Sequence, residues 1–80
     1  MKRKCTLDAL SIGENAVIEQ LDVPQEMAVR LQALGFIPGG SVQVVHESPW
    51  GDPVAYLVCG TVIALRRRNA RQIEVRITEN

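Results

Sequence analysis

The longest uninterrupted apolar run in this chain is six residues, Val54 to Cys59, and that brevity excludes more folds than any other feature. A membrane-spanning helix needs roughly 20 apolar residues, so no segment reads as a span. A run of six that is rich in Val, Leu and Tyr is the length of one buried strand. The other apolar runs are shorter still and are bounded by Gly, Pro or charged residues, so the sequence reads as short strands joined by turns. Eighty residues make one domain, 1–80. A chain of that size hides only about 60% of its unfolded surface, so its core must be compact.

Strand patterns recur at Ala16 to Leu21, Ser41 to Glu47, Val54 to Cys59, Val62 to Leu65 and Gln72 to Thr78. The last alternates most cleanly, with Ile73, Val75 and Ile77 inward and Glu74 and Arg76 outward. Val42 and Val44 share a face of the second strand. Val54, Tyr56 and Val58 share one face of the third and Ala55, Leu57 and Cys59 the other; one set fills the core, and the other meets the helix, a loop or a partner. Gly60 and Thr61 make the turn to the fourth strand. The segment TLDAL reads as a turn or short helical piece, with a glycine turn, SIGEN, after it. One helix is expected in DVPQEMAVRLQALG: Pro24 suits its first position, Asp22 or a neighbour could cap it, and Met27, Leu31 and Leu34 form a core-facing stripe. Gly35 is its expected left-handed stop. FIPGG reads as a type II turn with Pro38 and Gly39 at its corners, and RRRNAR as a single helical turn. Five short strands with one helix inserted in the first long loop match a mainly β, small SH3-like barrel, whose closure removes most free edges.

Three pieces then carry a resemblance: RLQALGFIPG at Arg30 to Gly39, PWGDP at Pro49 to Pro53, and ALRRRNA at Ala64 to Ala70. Together they make the sequence resemble the ferrous iron transport protein A (FeoA) family over nearly its whole length, Leu7 to Ile77. The resemblance implies an SH3-like fold and a small cytosolic accessory protein of bacterial ferrous iron uptake, without enzymatic activity or cofactor. Its implied partner is the FeoB membrane transporter, which carries a cytosolic GTPase domain. Contact with the membrane would then run only through that partner. Trp50 departs from the aliphatic residue the resemblance implies at its position.

Composition is consistent with that class. Nine basic residues balance nine acidic ones, which argues against a protein that coats nucleic acid or an anionic membrane. Locally the balance fails: residues 60–80 hold five arginines and two glutamates. Cys5 and Cys59 are too few and too far apart for a disulfide scaffold or a CxxC site and read as free thiols. The basic start, MKRKCTLDAL, has no apolar stretch behind it and does not read as a secretory signal, so a cytoplasmic location is expected.

Catalytic chemistry is poorly represented, since His46 is the only histidine and no motif supplies it with a nucleophile. PGG after Ile37 lacks the Lys-Ser/Thr ending of a phosphate loop and precedes a strand. For ferrous iron the candidate ligands are His46, Glu47 and Asp52. In a regular strand His46 lies on the face of Val42 and Val44 while Glu47 points the other way, which would separate them, and a bulge could rotate either; no tight iron site is expected. Partner binding is assigned to Arg30, Trp50, Leu57, Arg66 and Arg67. Arginines there would pair with carboxylates and steer association. The alternatives are a nucleic-acid-binding small barrel and a detached metal-responsive regulatory module, with self-association left open. Segment 48–53 also explains itself without a ligand: Pro49 and Pro53 fix backbone angles, Gly51 permits a left-handed corner and Asp52 can bond neighbouring amides.

Overall fold

The alternation of Ile73, Val75 and Ile77 with Glu74 and Arg76 places a strand at the centre of the core, and the rest of the sheet is arranged about it. A computed structural model describes residues 2–78. In chain order the elements are β1 (Lys2–Thr6), a 3₁₀ turn (Leu7–Ala9), β2 (Asn15–Leu21), α1 (Gln25–Leu34), β3 (Ser41–Glu47), β4 (Val54–Val58), β5 (Thr61–Leu65), α2 (Arg67–Ala70) and β6 (Ile73–Thr78). They form a six-stranded antiparallel sheet in the order β1-β6-β2-β3-β4-β5. Among the described residues, no helix is long and apolar enough to cross a membrane.

The sheet has six strands rather than five, because Lys2–Thr6 pairs with β6 from Lys2 opposite Thr78 to Thr6 opposite Glu74. The pattern KRKCT contains no strand periodicity, and an available neighbour's edge supplies what the pattern lacks. The ladder also ends at β1 and β5 instead of closing. Bulges at Glu19 in β2 and Val45 in β3 add one residue each to the central strands. Such bulges bend a strand and raise its twist, so the open sheet wraps one core.

That core contains Leu7, Ile18, Val42, Val44, Val54, Tyr56, Val58, Ile73 and Val75, all at least 98% buried. Val54, Tyr56 and Val58 are therefore the inward set of β4, and Leu57 faces outward, half-buried. The hairpin to β5 is tighter than the sequence suggested. Cys59 (φ +47°) and Gly60 (φ +74°) form the two left-handed residues of its turn, and Thr61 already pairs with Val58, as a two-residue hairpin requires.

The helix differs from expectation in two respects. Pro24 is the N-cap and not the first helical residue, and no side chain caps the helix; Asp22 instead donates its backbone N–H to the Gln72 carbonyl at 2.7 Å. Of the stripe Met27, Leu31 and Leu34, only Leu31 is buried, Met27 packs partly against the core, and Leu34 is 45% exposed. Gly35 ends α1 as expected, at φ +114°. A Cβ there would also lie 3.0 Å from Cys59 Sγ. The Phe36 N–H returns to the Leu31 carbonyl at 2.9 Å, a bond that throws the next side chain inward. Phe36 is fully buried and meets Tyr56 edge-on with ring centroids 6.4 Å apart. It takes the core volume that the sequence had assigned to Leu34. The FIPGG turn is as expected, with Gly39 at φ +86° and the Gly40 N–H on the Ile37 carbonyl at 2.9 Å.

Candidate docking surface

Segment 48–53 builds its own corner. The Gly51 N–H bonds the Ser48 carbonyl at 2.7 Å and the Ser48 N–H bonds the Pro53 carbonyl at 3.2 Å, with Gly51 at φ +80° and a cis Asp52–Pro53 peptide. Nothing inside that corner needs an aromatic ring, and Trp50 stands 92% exposed on it.

Arg67, the first residue of α2, ties the corner to the rest of the molecule. Its N–H donates to Asp52 Oδ1 at 3.0 Å, its Nε to the Gly51 carbonyl, its Nη1 to the Asp8 carbonyl at 2.9 Å and its Nη2 to Glu47 Oε1 at 3.2 Å. One side chain thus joins the loop, the 3₁₀ turn and the end of β3. Its charge is used inside the molecule and is less available to a partner than the sequence suggested. Arg66 and Arg68 beside it are exposed, and Arg71 reaches Asp8 Oδ2 at 3.6 Å. Beneath this corner lies the Tyr56 phenol. Burial pushes its pKa up to about 12; the Arg67 guanidinium opposes the shift, while the Asp8, Glu47 and Asp52 carboxylates add to it.

The candidate metal ligands do not converge. The bulge at Val45 turns both Val45 and His46 to solvent, so His46 leaves the face of Val42 and Val44. Glu47 faces Arg67 instead, and Asp52 holds the Arg67 amide. Among the described residues, no group of three His, Cys, Asp or Glu side chains is placed to hold a metal ion.

The FeoA domain family matches residues 5–77 of this sequence. The chain belongs to the FeoA family. It is 34% identical over 71 residues to the Fe(2+) transport protein A/Fe(2+) transporter FeoB fusion protein of Porphyromonas gingivalis, a match that covers 89% of this chain and 8% of that protein. The solution structure of iron(II) transport protein A from Clostridium thermocellum superposes with a TM-score of 0.86 at 36% identity, over 91% of this chain and 45% of that one. The FeoA of Stenotrophomonas maltophilia, an SH3 domain protein crystallised with zinc, gives 0.75 at 35% identity over 88% and 87% of the two chains. The SH3-like fold expected from strand order is the fold of this FeoA domain.

Within that domain the proposed contact residues fall on two surfaces. Arg30 lines an open groove with Met27, Leu31, Leu34 and Asn69, so the groove lies between α1 and α2, and Arg67 links α2 onward to the Trp50 loop. Leu57 lies apart, on the outer sheet face beside Gln43, Cys59 and Gly60, with Val62 its cross-strand neighbour. The sequence did not single out Arg67 from the arginines around it. Its partners are 15 to 59 residues away in the chain, and no local spacing records them.

Proposed function

We propose that this chain is a non-enzymatic accessory protein of ferrous iron uptake that docks on the cytosolic part of a FeoB-type transporter and supports its assembly or activity. The observation that carries this reading is the fusion relative, in which a segment 34% identical to this chain shares one polypeptide with a FeoB transporter. Covalent linkage replaces an encounter with a high effective concentration, and is useful where the two parts work in contact. The surface that suits the task is the Trp50 corner with α2 and the Arg30 end of α1. It offers one solvent-exposed aromatic anchor on a hydrogen-bonded corner, with the exposed Arg66 and Arg68 on either side of the Arg67 that ties that corner down, a combination found where one protein fits an acidic, partly apolar pocket on another.

The test is capture of the transporter's cytosolic domain by the wild-type protein, by Trp50→Ala and by Arg66→Glu, alongside a DNA and RNA shift assay. Docking at this corner predicts retention by wild type and a loss of at least tenfold in affinity in both variants. Retention unchanged by either variant moves the contact elsewhere. Nucleic-acid binding that falls steeply with salt, with no capture of the transporter domain, replaces the reading with that of a nucleic-acid-binding barrel.

A further inference from the structure

The two ends of the open sheet are protected very differently. β1 carries Lys2, Arg3 and Lys4 along its length, the charged pattern by which natural edge strands avoid pairing. β5 reads Thr-Val-Ile-Ala-Leu, with no charge, no proline and an unbroken register against β4. In a hairpin closed by a two-residue turn, Thr61, Ile63 and Leu65 exchange the bonds with β4. The N–H and C=O groups of Val62 and Ala64 therefore point off the sheet. Both side chains lie on the exposed outer face, Val62 at 58% exposure.

We propose that β5 is a self-association edge, pairing antiparallel with β5 of a second copy of this chain. A twofold axis at Ile63 sets Val62 opposite Ala64 of the other copy, and the reverse. All four outward backbone groups on each strand are then paired, and a large side chain lies against a small one on the outer face. The same register puts Thr61 opposite Leu65 and Arg66 opposite Gly60. The two Arg66 residues end about 20 Å apart along the strands, beyond the ~8 Å screening length at physiological salt. No like charges face each other. A β1–β1 pair about any axis within Lys2–Lys4 sets basic residues opposite one another, and a β1–β5 pair is a head-to-tail contact that builds a ring or a filament and not a twofold dimer. Charge and symmetry thus select β5 with β5. The contact spans one short strand and a narrow apolar margin, so it belongs to the weak class of interfaces, with a dissociation constant on the order of 100 μM.

Sedimentation equilibrium of the full chain across concentrations from about 10 μM to about 1 mM tests this. The weight-average mass is expected to rise from 8.8 kDa toward twice that value, and the Val62 and Ala64 amides to become protected from exchange as the dimer fills. Val62→Lys places a charge on the edge at an exposed position and is expected to hold the protein at the monomer mass, with an unchanged circular dichroism spectrum. Val29→Lys, an equally exposed apolar position on α1, is expected to leave the dimer intact. A wild-type mass that stays at the monomer value at about 1 mM overturns the proposal. So does a dimer that survives Val62→Lys, or one that Val29→Lys abolishes as fully.

Discussion

The Trp50 corner and α1 both adjoin α2, through Arg67 and Asn69 respectively, yet they are held by different means. The corner is small and polar, and it is tied by the four hydrogen bonds of Arg67 to Asp52, Gly51, Asp8 and Glu47. α1 is ten residues long and regular, and its one buried residue is Leu31. Val29 and Leu34 on the helix, and Ile37 just beyond it, remain exposed. Directional bonds fix where a loop sits, and an apolar contact fixes only that a helix stays attached. The corner is therefore suited to present an anchor at a set position, while α1 offers a separate, partly exposed apolar surface.

The largest expected effect tests the weaker attachment. Leu31→Ala removes the residue that seats α1 and is expected to cost about 3 kcal/mol, measured by urea unfolding; a loss under about 1 kcal/mol would mean that α1 is held by something other than Leu31. Next comes alkaline pH, which reads the corner through the phenol beneath it. The folded Tyr56 titrates near 12 against 10.0 for an ordinary tyrosine. Its contribution is fully present below pH 10 and is lost as pH rises through 12, by roughly 2 to 3 kcal/mol. Tyr56→Phe should flatten that decline, and an equal decline in the variant would assign it to other groups. Third, Arg67→Ala leaves Glu47 and the Gly51 and Asp8 carbonyls without their donor, at about 2 kcal/mol. It should also speed amide exchange in residues 48–53 while leaving α1 unaffected; equal acceleration in both regions would erase the contrast between them. Smallest are Leu34→Ala and Trp50→Ala, each expected within about 0.5 kcal/mol. A larger stability loss in either would show that the side chain is packed and not free for a partner.

Much of this fold could be read from pattern. β6 alternates because one of its faces is buried and the other meets solvent, and β4 is apolar throughout because Leu57 and Ala55 are half-covered on its outer face. Glycine positions were equally informative, since Gly35 and Gly39 adopt the positive φ that their turns require. Where the reading failed, the cause was nonlocal for KRKCT and His46 and local for Leu34. KRKCT became β1 because β6 had a free edge to pair with. Leu34 gave way to Phe36 because the bond from Phe36 to Leu31 turns the chain inward one residue beyond the helix stop. His46 left its expected face because a bulge at Val45 shifted the register with β4. The candidate docking surface was legible as a set of residue types, in Trp50, Arg30 and the arginine turn, but the division of labour among the arginines was not.

The sequence by itself determined the strand set after β1, the one long helix and the turns at Gly35 and Gly39, because each rests on neighbours within a few residues, and its three motifs together carried the resemblance to the FeoA family. Only the tertiary structure decided that Arg67 faces inward while Arg66 and Arg68 face solvent, that Trp50 has no packing role, and that β5 rather than β1 is the undefended edge. Those outcomes depend on which distant segments share a corner or a ladder. That proximity is set by how the sheet bends around its core, and no local pattern encodes it.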